Sequence, residues 1–562
     1  MEFLDARRLT GPSLLFDEPA AVLDVRCTST EAATFVPAWQ ARVEQMLAAL
    51  GWAQAHYRHC ELKGGVSVAF TAPIDALYAA TEINEWAFAT VLAEQQGTVP
   101  PDLQNAQSTI AASAPEERND ALLALQAAAA EHGTSFLWDD DIASLGLGRS
   151  SSSWPVRELP ALAGLDWSRF ADVPVGIVTG TNGKTTTVRL AAHILTGAGR
   201  TVGLSSTDWI AVNNTVLDRG DWSGPGGART VLRHPDVDVA VLEAARGGLL
   251  RRGLGIEHAN AALITNIAAD HLGDFGSRSI DELLDIKWLI SRSVREAGTL
   301  ILNADDPRLV EKARDYDGRL CWFSLDAQNA VVKLHIANGG TAFVYDEDRL
   351  LQVSANMDIE ICAVQSVPIT LGGAARHNIA NALAAAALTS TLGASTRDIQ
   401  TGLTTMSQDE NPGRCNVYTV GTRKVLVDFA HNPHAMQALF DMAQALPAKR
   451  RALCFGQAGD RPDELIREMT RAAFAIGLDQ VFVSELASYH RGRQHGEVFG
   501  VIRDELLRLG LDDDQVVHHE LESETLDAAM RWAQDGDLVI MLALGGAAPI
   551  QAQLQALTPA TE

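Results

Sequence analysis

The chain is 562 residues long, 47% apolar and 21% charged, with a formal net charge of −26. Such a length predicts three or four domains of ordinary globular composition. The acidic excess excludes the basic footprint of a nucleic-acid binder and disfavours attachment to an anionic membrane surface.

In chain order, the opening M-E-F-L-D-A-R-R lacks the apolar core of a signal peptide. Residues 1–160 read as a separate α+β domain. Trp39, Val43, Met46, Leu47 and Leu50 give helical periodicity over Val36–Leu50, and Val66–Phe70 alternates like a strand. A long helix is expected over Pro73–Glu94, with proline in its first turn, and an alanine-rich one over Pro115–His132. His56, His59 and Cys60 have no carboxylate or second cysteine at metal-ligand spacing. Asp139–Asp141 predicts a solvated loop or a helix cap before Ile142, and Ser150–Ser153 followed by Trp154-Pro155 predicts a linker. The six cysteines (Cys27, Cys60, Cys321, Cys362, Cys415, Cys454) show no C-x-x-C spacing and fit a reducing cytosol. The longest apolar tract, 380–388, is far too short to span a bilayer, so a cytoplasmic location is expected.

From 165 to 410 strands and helices alternate, which predicts a mainly parallel sheet covered by helices. Strands are expected at Val173–Val178, Thr201–Ser205, Val237–Leu242, Ala261–Thr265 and Thr299–Leu302. The first runs into the tight turn Gly180-Thr181-Asn182-Gly183-Lys184-Thr185-Thr186, where a helix starts. Strand, glycine turn and helix N-terminus form a phosphate grip, because backbone N–H groups converge there and the helix dipole adds positive charge. Lys184 can reach outer phosphates and the Thr185 hydroxyl can ligate Mg²⁺. The general P-loop pattern is not met, since Val178 stands where its first glycine belongs.

Ligands of open α/β sheets bind at the carboxyl ends of strands, so the other strand ends matter. One carries Glu243, able to hold Mg²⁺ through oxygen. The next carries Asn266, followed by Asp270-His271. A helix over Asp281–Val294 bears Lys287 among apolar neighbours, and Asn303-Ala304-Asp305-Asp306-Pro307 can hold a ribose and base or cap the helix that follows. Residues 332–368 read as a small β insertion, and Arg376-His377-Asn378 opens an alanine-rich helix.

Residues 411–562 alternate again, with strands expected at Lys424–Phe429, Arg451–Phe455, Gln480–Val483 and Leu538–Leu542. Helices follow near 433–446, 462–475, 496–509 and 524–534. The pattern is Rossmann-like without G-x-G-x-x-G, so a dinucleotide is not expected.

T-G-T-N-G-K-T-T, the strand-end glutamate, T-N-I-x-x-D-H-L, L-N-A-D-D-P, R-H-N-x-x-N, N-P-G-R, D-F-A-H-N-P and G-D-R follow one another in this order. Together they resemble the Mur ligase superfamily over roughly residues 170–465. Within it, L-E-A-A-R-G-G-L-L-R-R-G-L-G, N-P-G-R-x-N, R-R-L-T-G-P and S-L-G-L-G are most similar to the cyanophycin synthetases. Those enzymes carry an ATP-grasp module between their N-terminal and Mur-like parts, for which this chain has no room. The resemblance therefore implies one ATP site, and no synthesis of the full aspartate–arginine polymer by this chain alone. Leu542–Gly546 departs from the G-K-G-H-E-like end of many Mur ligases.

The resemblance implies an ATP- and Mg²⁺-dependent ligase that joins an amino acid to a carboxylate or peptide acceptor through an acyl phosphate. It assigns catalysis to Lys184, Glu243, His271 and Lys287, and Mg²⁺ to Thr185, Glu243 and His271. It assigns nucleotide contacts to Gly180–Thr186, Asn266, Asn303, Asp306, His377 and Asn378, with Arg414, Asp428 and His431 closing from the third domain. Lys287 falls where the family often carries a carbamylated lysine. The amino-acid pocket falls near Ser484–Glu497, with arginine the favoured amine. A homo-oligomer is left open. The rival readings are a nucleotide-binding subunit that docks a peptide polymer, and the Mur-like partner subunit of an amidotransferase, whose four-cysteine ribbon is missing here.

Overall fold

The computed structural model describes residues 1–62, 64–270 and 279–557. The chain forms two compact units. One comprises Met1–Ile267, His271–Trp322 and Ala386–Ser395; the other comprises Ala268–Asp270, Phe323–Ala385 and Thr396–Glu562. Among the described residues no helix is long and apolar enough to cross a membrane.

The first unit opens with strands β1 (Glu2–Leu9), β2 (Ala20–Arg26), β3 (Tyr57–Leu62) and β4 (Gly65–Thr71), an antiparallel sheet in the order β1-β2-β4-β3. Helices α1 (Ser29–Leu50) and α2 (Leu77–Gln96) bury Phe35, Trp39, Val43, Met46, Ile83 and Val91 with Leu23, Val66, Val68 and Phe70 of the sheet. Helix α1 begins seven residues before the expected Val36, because Thr28 and Glu31 close a capping box on its first turn.

Helix α2 begins after Pro73 rather than around it. Its start is fixed by the Glu117 carboxylate, which accepts from the Tyr78 amide at 2.7 Å and the Ala79 amide at 3.1 Å. Glu117 ends α3 (Leu103–Glu117), and Asn119 caps α4 (Asp120–Glu131) by accepting from the Leu122 amide. The single helix expected over 115–132 is therefore two, divided at residues 118–119.

A three-stranded antiparallel sheet follows, β5 (Phe136–Trp138), β6 (Ile142–Leu145) and β7 (Ser152–Pro155). Residues 152–155, expected in a linker, are its third strand. Asp139–Asp141 is the β5–β6 turn: Asp139 pairs with Arg233, and Asp140 pairs with Arg8 at 2.6 Å.

The large sheet of this unit contains β8 (Val175–Thr179), β9 (Val202–Ser205), β10 (Trp209–Val212), β11 (Thr215–Arg219), β12 (Val239–Glu243), β13 (Ala259–Ile264), β14 (Val294–Asn303) and β15 (Arg319–Ser324). Their order is β11-β10-β9-β12-β8-β13-β14-β15. Strands β9, β12, β8, β13 and β14 run parallel, as the alternating pattern predicts, and β8 is central. Strand β8 is buried throughout (Val175 and Ile177 among others), so the glycine turn leaves the best-anchored strand. The helix carrying Lys287 stops at Trp288, and a 3₁₀ turn over Leu289–Ser293 replaces its expected last turns.

In the same unit, the Thr10 amide donates to the Arg252 carbonyl at 2.9 Å and the Leu254 amide to the Pro12 carbonyl at 2.7 Å. Gly11 and Gly253 sit at this seam; a Cβ on either would overlap the facing backbone.

In the second unit, a helix at Ala330–Ala337 precedes the antiparallel strands β16 (Thr341–Asp346), β17 (Arg349–Ser354) and β18 (Asp358–Ala363). A second sheet has β19 (Asn416–Val420), β20 (Arg423–Asp428), β21 (Arg451–Phe455), β22 (Gln480–Ser484), β23 (Val516–His519) and β24 (Leu538–Leu542), in the order β19-β20-β24-β21-β22-β23. All pair in parallel except the edge strand β19. Leu426, Leu453 and Ile540 face one apolar cluster, while Val425, Val427, Cys454 and Met541 face the other. Both faces are thus covered, which is why these strands read as continuous apolar runs.

Candidate active site

The turn after β8 is held by side chains from the neighbouring strand end. The Thr181 amide donates to the Asn266 carbonyl at 2.8 Å, and the Asn182 amide donates to Asn266 Oδ1 at 3.0 Å. Thr265 Oγ1 and Asn266 Nδ2 both donate to the Asn182 carbonyl, at 2.6 and 3.0 Å. Gly180 has φ +145°, and a Cβ there would overlap Thr265 Oγ1; Gly183, at φ 85°, caps the helix α5 (Lys184–Gly197). Only glycine fits both conditions at Gly180. Two of the loop amides are therefore committed to Asn266. The amides of Gly183, Lys184 and Thr185 stand at the helix start, where an α-helix offers no internal acceptor. They are the donors suited to a phosphate.

Glu243, at the end of β12, is 2% exposed. Thr185 Oγ1 donates to its Oε2 at 3.0 Å, Thr207 Oγ1 donates to its Oε1 at 2.7 Å, and the Thr207 amide donates to Oε2 at 3.3 Å. Behind it lies an apolar cavity of about 20 Å³ lined by Ile177, Pro225, Leu242, Leu249 and Leu254. The carboxylate is thus held by two hydroxyls and an amide, in a residue that also lines this cavity. Thr207 is a contributor the sequence reading missed. Its signal is its place two residues beyond β9, a strand end of the same parallel set.

Lys184 Nζ donates to the Thr181 carbonyl at 3.0 Å, closing the turn on itself. Lys287 is 4% exposed, and its Nζ donates to the Gly180 carbonyl at 2.8 Å. The lysine that the resemblance assigns to catalysis thus reaches the first glycine of the loop. His271 lies outside the described residues. Thr185 and Glu243 are hard oxygen donors side by side, a set that fits Mg²⁺.

Asn303 and Asp306 brace the next strand end. Asn303 Nδ2 donates to the Thr265 carbonyl at 3.0 Å; Asp306 Oδ2 accepts from the Ile267 amide at 2.7 Å, and its Oδ1 caps the following helix through the Arg308 amide.

The second unit gathers a different group. Asp428, at the end of β20, accepts from the Cys415 amide at 2.8 Å, the Cys415 thiol at 3.2 Å and the Ala430 amide at 2.7 Å. His377 Nε2 lies 3.1 Å from Cys415 Sγ. Burial lowers the His377 pKa below its ordinary value, opposed by the Asp428 charge. Burial raises the Cys415 thiol well above its usual range, and Asp428 reinforces this. The Arg414 guanidinium lies 4.7 Å over the Phe429 ring, and His431 Nε2 is 3.8 Å from Asp270 Oδ1. Asn378 is buried, with Nδ2 donating to the Ile369 carbonyl and Oδ1 accepting from Asn381.

The Mur ligase middle domain matches residues 178–389, and the Mur ligase glutamate ligase domain matches residues 413–545. The chain is 34% identical to a cyanophycin synthetase of Crocosphaera subtropica over 66% of its own length and 42% of that protein. It is 38% identical to one from a Nostoc species over 59% of its length and 37% of that protein. It therefore spans about two fifths of these relatives. It is 30% identical to the UDP-N-acetylmuramoyl-tripeptide–D-alanyl-D-alanine ligase of Escherichia coli, over 56% of this chain and 65% of that one. The structure of E. coli FolC in complex with DHPP and ADP shares the fold at a TM-score of 0.50 and 20% identity, covering 68% of this chain and 89% of that one. With both domains matched in sequence order behind a glycine turn, a strand-end glutamate and a buried lysine, the chain belongs to the Mur ligase family.

Proposed function

We propose that the chain is an ATP-dependent ligase that joins an amino acid to a carboxylate or peptide acceptor. The observation that carries this is the 3.0 Å pairing of Thr185 with Glu243 beside the first-turn amides of α5. It combines an oxygen-only cation site with a phosphate cradle. When bound, Mg²⁺ would supply charge neutralisation at Thr185 and Glu243, with His271 holding a second ion near the acceptor carboxylate on the family pattern. The remaining work is positioning. Lys184 exchanges the Thr181 carbonyl for the outer phosphate oxygens. Asn266, Asn303 and Asp306 hold the neighbouring loops, and on the family pattern His377, Asn378, Arg414, Asp428 and His431 are further nucleotide contacts. An acceptor carboxylate oxygen attacks the γ-phosphorus as ADP leaves. The amine then attacks the acyl carbon and loses a proton as phosphate leaves. The names of the curated relatives, synthetases and ligases, support the same class.

In this reading residues 1–160, 165–410 and 411–562 act as accessory, nucleotide-binding and amino-acid-binding parts. The test is phosphate release from ATP and Mg²⁺ with a panel of acceptors and amines, arginine first. Release that requires both components is expected. ATP binding without release for any pair would replace the ligase with a polymer-docking nucleotide-binding module.

Lys287 is the carbamylation position in this proposal, since a carbamate turns a buried cation into an anion next to a cation site. ¹³C NMR in labelled bicarbonate should show a carbamate resonance that is absent from Lys287→Ala.

A further inference from the structure

Outside the strand-end site, one cluster of metal-ligating side chains stands apart among the described residues. Glu485 follows β22 directly, and its side chain is 4% exposed. His518 Nε2 donates to its Oε1 at 2.9 Å, the Gly496 amide donates to the same oxygen at 2.9 Å, and His490 Nε2 donates to Oε2 at 2.9 Å. His495 lies with its ring 5.6 Å from that of His518 and 6.4 Å from that of His490, and its Nε2 donates to Glu520 at 2.9 Å. Three imidazoles and two carboxylates thus converge from the end of β22, the segment 487–496 and the end of β23. Phe499 stacks on His518 at 4.2 Å and 8°, fixing that ring from behind.

We infer that Glu485, His495 and His518 form a transition-metal site, distinct from the oxygen-only pair at Thr185 and Glu243. Their ligand atoms all lie within 4.8 Å of one another. A closed tetrahedral site with bonds of about 2.0–2.1 Å needs roughly 3.3 Å between ligands. His495, 56% exposed on its side chain, is the residue with room to turn inward. Two imidazoles and one carboxylate select zinc, cobalt, nickel or copper over magnesium, which prefers oxygen and water. The surroundings are those of a built site: His490 and the Gly496 amide hold the Glu485 carboxylate, and Glu520 holds the His495 ring, as carboxylates commonly orient metal-bound imidazoles. Binding requires the Nδ1–H tautomer of His518, so that Nε2 carries the lone pair. Three protein ligands leave a position open to water or a substrate group. The ion ties the segment 485–496 to the end of β23.

The experiment uses the full chain, treated with chelator and then titrated with Co²⁺ in excess Mg²⁺. One equivalent should bind with the intense visible bands of a four-coordinate imidazole site, and Zn²⁺ should displace it. His495→Ala and His518→Ala should each weaken binding on the order of 100-fold. His495→Ala removes an exposed side chain, so its melting temperature should match the parent. Glu243→Gln should leave the bands unchanged, which separates this site from the nucleotide-associated one and frees the result from the ligase proposal. Absence of the bands, their survival in both histidine variants, or their loss in Glu243→Gln would each overturn the assignment. So would arginine that competes with Co²⁺ stoichiometrically, since the cluster would then be an amino-acid pocket.

Discussion

The two large parallel sheets end differently at their carboxyl edges. Around β8, β13 and β14 the polar side chains are spent largely on backbone: Asn266 on Asn182, Asp306 on Ile267, Asn303 on Thr265, Lys287 on Gly180. At β20 and β22 the acids meet backbone amides and, in addition, ionisable side chains: Asp428 the Cys415 thiol, and Glu485 the His490 and His518 imidazoles. The first arrangement freezes a loop so that helix amides and one buried carboxylate face a ligand. The second makes clusters whose charge depends on what binds or protonates. A rigid edge suits phosphoryl transfer, where catalysis is preorganised electrostatics, and an ionisable edge suits recognition.

The sharpest test of this contrast is Lys184→Ala. It removes the one cation of the glycine turn while the Asn266 and Thr265 braces remain. ATP turnover should fall at least about 10³-fold, some 4 kcal/mol of transition-state stabilisation, with circular dichroism and melting temperature unchanged. Wild-type-like turnover would remove the phosphate assignment. Glu243→Gln comes next. Its carboxylate accepts from two hydroxyls and an amide, so the amide side chain keeps the shape and loses the charge. Turnover should drop roughly 10²-fold, and the Mg²⁺ concentration for half-maximal rate should rise. A rate that falls with no change in Mg²⁺ dependence would make Glu243 a purely structural brace.

Much of the rigid edge was legible because a parallel strand buried on both faces is a dense apolar run, and its end is marked by the first polar residue. Glu243 and the glycine turn were found that way. Thr207 was not, because its one mark, a place just beyond a strand end, is shared by many residues until the fold sets it against Glu243. Lys287 entered as a catalytic candidate through the family resemblance alone, because periodicity locates a face and not what that face meets. Caps made within a segment were readable in principle, as Thr28 and Glu31 show. The cap that Glu117 provides to α2 joins residues 39 apart, and no local pattern carries it. The same holds for R-R-L-T-G-P and R-R-G-L-G: each looked like a separate family mark, yet Gly11 and Gly253 are the two sides of one backbone seam.

The ionisable edge makes weaker and more conditional predictions. Asp428→Asn leaves one acceptor for the Cys415 amide, the Cys415 thiol and the Ala430 amide, and turns an N–H donor toward at least one of them. Unpaired buried donors of this kind cost about 1–3 kcal/mol. The urea midpoint should fall by that amount, with a smaller loss of turnover than in Lys184→Ala. If turnover collapsed while stability held, Asp428 would belong with the preorganised group and the contrast would fail.

The smallest effect is expected at His377, and its sign follows from linkage. Burial beside Cys415 holds its folded pKa below the unfolded value of about 6.5. Above that value the ring is neutral in both states and pH has no effect through it. As pH falls below the unfolded pKa, the unfolded chain takes up a proton that the folded chain refuses, so stability declines until the folded pKa is passed. Asp428 opposes the shift, which limits the decline. Urea unfolding at pH 7.5 and pH 5.5 should therefore show a smaller acid loss in His377→Asn than in the parent. In Asp428→Asn the loss should be larger, because the charge that favours the imidazolium is gone. An acid slope identical in all three chains would mean that this edge does not titrate through His377. Its histidine would then count with Asn266 and Asp306 as a fixed brace.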